Sequence, residues 1–93
     1  MATEREELAG LIGSMVVVDT RSPVVYVGVL KEWGDNFVTL ADVDVHDVSE
    51  GRSGKELYVL EARRTGIQKN RREVLIRKDV VLSLSRVEDV LAY

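Results

Sequence analysis

Along most of the chain, apolar residues alternate with polar ones or gather in short β-branched runs, the pattern of strands. Near the N-terminus they take helical spacing instead. Thr3-Glu4-Arg5-Glu6 has the spacing of a capping box, in which the Thr3 hydroxyl accepts from the backbone of Glu6. Leu8, Leu11 and Ile12 then form one apolar stripe, and Gly13 marks its end. The spacing predicts a short helix over residues 3–13.

Strands follow. Met15–Asp19 holds the run Val16-Val17-Val18, and Arg21-Ser22-Pro23 reads as a turn. Val24–Leu30 sets Val25, Val27 and Val29 on one face and Val24, Tyr26, Gly28 and Leu30 on the other. A glycine in mid-strand marks a bend or a close backbone approach. Trp33-Gly34-Asp35-Asn36 is a tight connection into a third strand, Phe37–Val48. There Val38 and Leu40 share one parity and Val43 and Val45 the other, so the phase slips near Ala41-Asp42. One bulge in a curved strand gives such a slip. Asp42, Asp44 and His46 then share a polar face, and Asp42, Asp44 and Asp47 read as a solvated strand edge that limits misassociation.

Residues 49–72 read as an insertion with some helix. Ser53–Glu56 is a second possible capping box and Gly66 a second stop. Leu57, Leu60 and Ala62 fit a helical stripe, while Leu57 and Val59 alternating with Tyr58 and Leu60 fit a strand. Glu73–Arg77 is the fourth strand, Lys78-Asp79 a turn, and Val80, Leu82 and Leu84 alternating with Val81, Ser83 and Ser85 the fifth. The tail, 86–93, fits a helical turn. The expected fold is mainly β: one domain over residues 1–93, a short N-terminal helix and a five-stranded, strongly bent antiparallel barrel. Segments 14–48 and 73–85 carry the strands. Closure of such a barrel removes exposed edges.

Composition narrows the chemistry. The 93 residues suit one small core, which is marginal alone and favours oligomerisation. With no cysteine, disulfides, thiolate metal sites and thiol catalysis are excluded. No apolar run reaches the ~18 residues of a spanning helix, and the acidic start Thr3-Glu4-Arg5-Glu6-Glu7 is unlike a signal peptide, so a soluble, cytoplasmic protein is expected. The net charge of −3 is divided unevenly: residues 51–93 carry ten basic and six acidic side chains, and Arg63–Lys78 alone holds seven basic residues against Glu73. That stretch is either an anion-attracting patch or a solvated loop.

Nothing marks an enzyme. His46 is the one histidine, which leaves no Ser-His-Asp set and only weak ligation with the aspartates near it, so no metal is expected. No glycine-rich phosphate loop opens a helix, and no cofactor or small-molecule substrate is implied.

Two blocks carry a family resemblance. Gly13-x-x-Val16-x-Val18, Tyr26-x-Gly28-x-Leu30 and Val38-x-Leu40 resemble the first motif of the Sm/LSm family, and Val74-Leu75-Ile76-Arg77-Lys78-Asp79-Val80-Val81-Leu82 resembles the second. The resemblance implies a bent five-stranded barrel and a homo-oligomeric ring of about five to eight subunits, in which the last strand of one subunit pairs with the fourth strand of the next. It also implies single-stranded RNA at the ring pore, with a base stacked between the loop joining strands two and three and an arginine of the second motif. Arg77 stands at that arginine. The loop departs from the family pattern: Trp33-Gly34-Asp35-Asn36-Phe37 is one residue short, and Lys78 replaces the glycine after the arginine. The candidate RNA-binding residues are Arg77, Lys78, Asn36, Asp35 and Trp33, with Trp33 fitting either a stacking platform or a core plug. The alternatives are a structural or protein-interaction ring without RNA recognition, and an unrelated small barrel.

Overall fold

A computed structural model describes residues 3–50 and 54–91. The Thr3 hydroxyl caps the N-terminal helix by accepting from Glu6 N–H at 3.2 Å. Helix α1, Glu4–Leu8, tightens into a 3₁₀ turn over Ala9–Leu11, and the chain leaves it at Gly13 with φ 87°. Strands β1 (Met15–Thr20), β2 (Val24–Trp33) and β3 (Phe37–Asp47) follow as an antiparallel meander. Helix α2 (Lys55–Thr65) fills the insertion, and strands β4 (Arg71–Arg77) and β5 (Val81–Arg86) close the chain around a 3₁₀ turn at Lys78–Val80. A further 3₁₀ turn, Val87–Asp89, stands where the tail predicted a helical turn.

The strand order is β4-β3-β2-β1-β5, every neighbouring pair antiparallel. β4 and β5 therefore lie at opposite edges, and among the described residues no ladder joins them. This corrects the expectation that closure would remove the edges. The short Lys78–Val80 turn sends β4 along β3 and β5 across to β1, leaving both outer edges unpaired within the subunit.

Two bulges bend this sheet. Val27 pairs with Asp44 and Val29 with Ala41, so one β2 residue, Gly28, faces two β3 residues, Asp42 and Val43. Asp42 takes the extra turn with φ 52°, a conformation that aspartate tolerates better than most side chains. Gly28 lies so close to the bulge that a Cβ there would meet the Ala41 carbonyl oxygen at 3.0 Å and Val43 at 3.2 Å. The mid-strand glycine and the phase slip are one feature seen from its two strands. A second irregularity puts an extra residue on β2 between Leu30, opposite Leu40, and Glu32, opposite Thr39.

The sheet buries both faces. Inside the bend, Val16, Val18, Leu30, Val38, Leu40, Val43 and Ile76 form the main core, with Val81 and Leu84 of β5 packed against it. On the outer face, Val17, Val25, Val27 and Val87 pack under Tyr58 and Ala62 of α2. The run Val16-Val17-Val18 is buried throughout because β1 is covered on both sides.

Helix α2 settles the open reading of the insertion. The residues it turns inward are Tyr58 and Ala62, one i, i+4 pair, whereas Leu57 is 46% exposed and Leu60 half-buried, so the predicted stripe of Leu57, Leu60 and Ala62 is corrected. Its N-cap position is Gly54, which offers no side chain; Ser53 lies outside the described residues. Gly66 ends it at φ 84°. Lys55 ties its first turn to the β1–β2 turn, donating to Asp19 Oδ1 (2.6 Å) and to the carbonyls of Thr20 and Ser22. The basic stretch is mostly regular structure, not loop: Arg63 and Arg64 end α2, and Arg71 and Arg72 open β4 two residues earlier than predicted. β3 is an interior strand, and its Asp44 is bonded to Tyr58 and Asn70, which corrects its reading as a solvated edge. Among the described residues no helix is long and apolar enough to cross a membrane.

Candidate nucleic-acid interface

The β2–β3 and β4–β5 turns meet at one end of the sheet. Gly34 N–H donates to the Phe37 carbonyl (2.9 Å) to close the first turn, and Lys78 N–H donates to the Asn36 carbonyl (2.9 Å) to join it to the second. The ladder places Phe37 directly opposite Arg77. Four of the five residues singled out in the sequence are thereby gathered in one groove, whereas Trp33 lines a different one with Arg5 and Leu8 of α1. Asp35, Asn36, Phe37, Arg77, Lys78 and Asp79 line one open groove of about 430 Å³.

Their states differ. The Arg77 side chain is 70% exposed and pairs with Asp79 at 2.7 Å. Exposed pairs of this kind contribute only about 0–1 kcal/mol, so the guanidinium exchanges partners readily. Asn36 is exposed, and Asp35 pairs with Arg5 of α1. Lys78 is held. Its ammonium donates to Glu4 Oε2 (2.6 Å) and to the Gly34 carbonyl (3.1 Å) and lies 4.8 Å from the Trp33 ring centroid. The hydrogen bond from Lys78 keeps the Glu4 carboxyl below its usual range, and the nearby Trp33 indole N–H adds to the effect without reaching good hydrogen-bond geometry. Trp33 itself is half-buried against the main core. Lys78 and Trp33 thus form the floor that locks α1 to the turns, beneath the exposed Asn36 and Arg77.

Phe37 was not singled out in the sequence. Its signal was parity: Val38 and Leu40 point inward, so Phe37 places a large aromatic on the outer side, where it is 43% exposed. A planar guanidinium opposite an exposed ring is suited to stacking a flat heteroaromatic group, and the Asn36 amide offers both a donor and an acceptor. Asp35 and Asp79 offset the cations here, so the groove is not strongly positive.

A second polar cluster fixes α2. The Tyr58 hydroxyl donates to Asp44 Oδ2 at 2.6 Å, and its ring stacks on His46 at 3.9 Å. Asn70 donates to Asp44 Oδ1 (3.2 Å), and its side-chain amide both accepts from Val45 N–H and donates to the Val45 carbonyl, continuing the β4 ladder by one step. Burial, then the bond to Asp44, pushes the Tyr58 phenol well above its ordinary value of 10.0. The native state holds this proton where the unfolded chain has lost it. Stability linked to Tyr58 is therefore complete below pH 10 and is lost as pH rises above it. Urea titrations from pH 8 to 11 are expected to show this loss in wild type and not in Tyr58→Phe. Among the described residues no group of three or more metal-ligating side chains comes together.

By sequence, no family model and no curated protein matches the chain. By structure, it is similar to the Sm protein of Pyrococcus abyssii solved in complex with a uridine heptamer, with 18% identity, a TM-score of 0.59, and 91% of this chain and 99% of that one covered. It is likewise similar to the P. aerophilum SmAP1 heptamer, with 22% identity, a TM-score of 0.60, and 92% and 95% covered. The chain has the Sm fold. The SmAP (LSm) protein of Methanococcus vannielii agrees, with 20% identity, a TM-score of 0.58, and 91% and 99% covered. The match takes in nearly all of each relative, so the Sm fold accounts for α1 and all five strands.

Proposed function

We propose that the protein assembles edge to edge into a ring of identical subunits and binds single-stranded RNA in the groove of Asn36, Phe37 and Arg77. The observation that carries the RNA reading is the pairing of an exposed Arg77 with an exposed Phe37 across the β3–β4 ladder. The solved relatives of this fold support it: one is in complex with a uridine heptamer, and others are heptamers. Two free antiparallel edges support the ring. Leu75 on β4 is 58% exposed and Leu82 on β5 59% exposed, apolar surface that edge pairing covers. A head-to-tail contact of this kind closes into a ring when the rotation allows, here about five to eight copies.

The mechanism is binding without chemistry. A base enters between the Arg77 guanidinium and the Phe37 ring, Asp79 releases Arg77, and the Asn36 amide reads the base edge. Stacking supplies the affinity, and repetition around the ring multiplies it. Because the groove is nearly balanced in charge, binding of a short oligonucleotide depends weakly on salt.

The test joins native mass spectrometry to titration with oligouridylate and oligoadenylate. Arg77→Ala is expected to keep the ring and weaken binding about tenfold or more, the loss of one or more stacks of about 1–3 kcal/mol each. A wild-type ring that binds neither oligonucleotide at low salt sinks the RNA reading and selects a protein-interaction ring. A strict monomer at micromolar concentration sinks both.

A further inference from the structure

Lys78 lines the same groove as Arg77, yet its charge is already engaged within the subunit. The Arg77 side chain is 70% exposed, that of Lys78 only 18%. A lysine ammonium is a point charge with three donors. One donor goes to Glu4 Oε2 at 2.6 Å and another to the Gly34 carbonyl at 3.1 Å, and the ammonium lies 4.8 Å from the Trp33 ring centroid. These contacts are of two kinds. Trp33 and Gly34 belong to the turn beneath Lys78 and fix where the ammonium sits. Glu4 reaches in from α1 with its own side chain 57% exposed, so its carboxylate can swing into water with no change in the backbone.

A carboxylate oxygen and a phosphate oxygen ask the same of an ammonium: both are anionic acceptors in a charge-assisted hydrogen bond. Glu4 therefore occupies, on Lys78, the place that a phosphate takes. We propose that Glu4 is a built-in competitor for RNA: a chain entering the groove replaces the Glu4 carboxylate on Lys78 with a backbone phosphate, so that consecutive residues, Arg77 and Lys78, hold a base and a phosphate. The exchange deepens the RNA reading above and rests on it.

One ion pair is broken and one is formed, and the freed carboxylate is hydrated. Because exposed pairs are weak, the exchange is easy. It leaves α1 in place, since Arg5 stays paired with Asp35 and Leu11 stays packed on the main core. The exchange also acts on specificity. A ligand without a phosphate leaves Glu4 where it is and gains nothing from Lys78, whereas RNA carries a phosphate beside every base it offers to Arg77. Salt loosens the Glu4–Lys78 pair and the phosphate–Lys78 pair alike, so the wild-type protein keeps the weak salt dependence expected of this groove.

Glu4→Gln keeps the shape of the side chain and removes its charge. Glu6→Gln is the control: it makes the same change of charge two residues along α1, at a side chain that is exposed and, among the described residues, in no ion pair. Native mass spectrometry establishes the ring, and anisotropy titrations with a uridine heptamer follow across a salt series. Glu4→Gln is expected to bind about threefold more tightly at low salt, the size of an exposed ion pair. Its log K against log salt slope is expected to steepen by up to about 0.7, one phosphate contact, so that the gain fades as salt rises. Glu6→Gln is expected to stay near wild type, and Glu4→Gln made in a Lys78→Gln background is expected to bring no gain. An intact ring that binds the heptamer but gains nothing from Glu4→Gln overturns the exchange and leaves the proposed function standing. Equal gains from Glu4→Gln and Glu6→Gln, or a gain that survives Lys78→Gln, do the same, because they reveal a diffuse effect of charge. If Lys78→Gln does not fold, the comparison of Glu4→Gln with Glu6→Gln decides alone. Failure of the wild type and of every variant to bind the heptamer overturns the proposed function, and the exchange falls with it.

Discussion

Leu40→Ala is expected to lower stability by about 2–5 kcal/mol, seen as a fall in thermal midpoint of about 8 °C or more at fixed protein concentration. Leu40 is fully buried. It sits between Leu30 on β2 and Val74 on β4, in the stretch that separates the two bulges. The side chains around it are largely valines, which have few rotamers and reach poorly into a new cavity. The backbone is equally constrained, because Gly28 already lies against the Asp42 bulge. Collapse is thus limited, and the loss belongs toward the upper part of the range. Leu57→Ala is the matching control: the same atoms are removed from a side chain 46% exposed on the outer side of α2, with a shift of about 0.5 kcal/mol or less. Equal losses at the two positions would refute the assignment of the core.

Tyr58→Ala is expected to cost a comparable amount, about 3–5 kcal/mol, but to spend it locally. Tyr58 is the largest residue of α2 in contact with the sheet, and it brings three things at once: packing on Val17, Val25 and Val27, the stack on His46, and the bond to Asp44. Without it α2 keeps only Ala62 as a buried anchor, together with the Lys55 clamp at its first turn. Hydrogen exchange should then accelerate across Lys55–Asn70 while the amides of β1, β2 and β3 stay protected. Tyr58→Phe keeps the ring and removes one bond, at about 1–3 kcal/mol, with Asn70 still serving Asp44. Uniform loss of protection over the whole sheet in Tyr58→Ala would show that α2 is integral to the barrel rather than docked upon it.

The sequence made the strands legible because their signals are local. Thr3 and Gly13 bracket the first helix, Gly28 and the slip at Ala41-Asp42 locate the bulge, and Val74 and Ile76 mark the inner face of β4. The insertion was harder to read. Its buried pair, Tyr58 and Ala62, is weakly apolar, while the more apolar Leu57 faces water, so hydrophobicity pointed at the wrong side of the helix. What selects Tyr58 is Asp44, fourteen residues away across the fold, and no local pattern carries that pairing. At the candidate interface, the resemblance to the two Sm motifs picked out Arg77, Asn36 and Asp35. Lys78 is held by Glu4, at the far end of the chain, and Trp33 packs against the core, contacts that follow from topology.

The two bulges have a consequence for assembly geometry. In any closed assembly joined edge to edge, the angle between a subunit's two edges decides how many copies complete the circle. Here β4 and β5 are separated by three strands, and the angle between them is set by the kinks at Asp42 and Lys31 around a stiff valine core. In the proposed ring, copy number would then be a property of the interior, and substitutions on the contact surface would tune how tightly the polygon holds rather than how many sides it has.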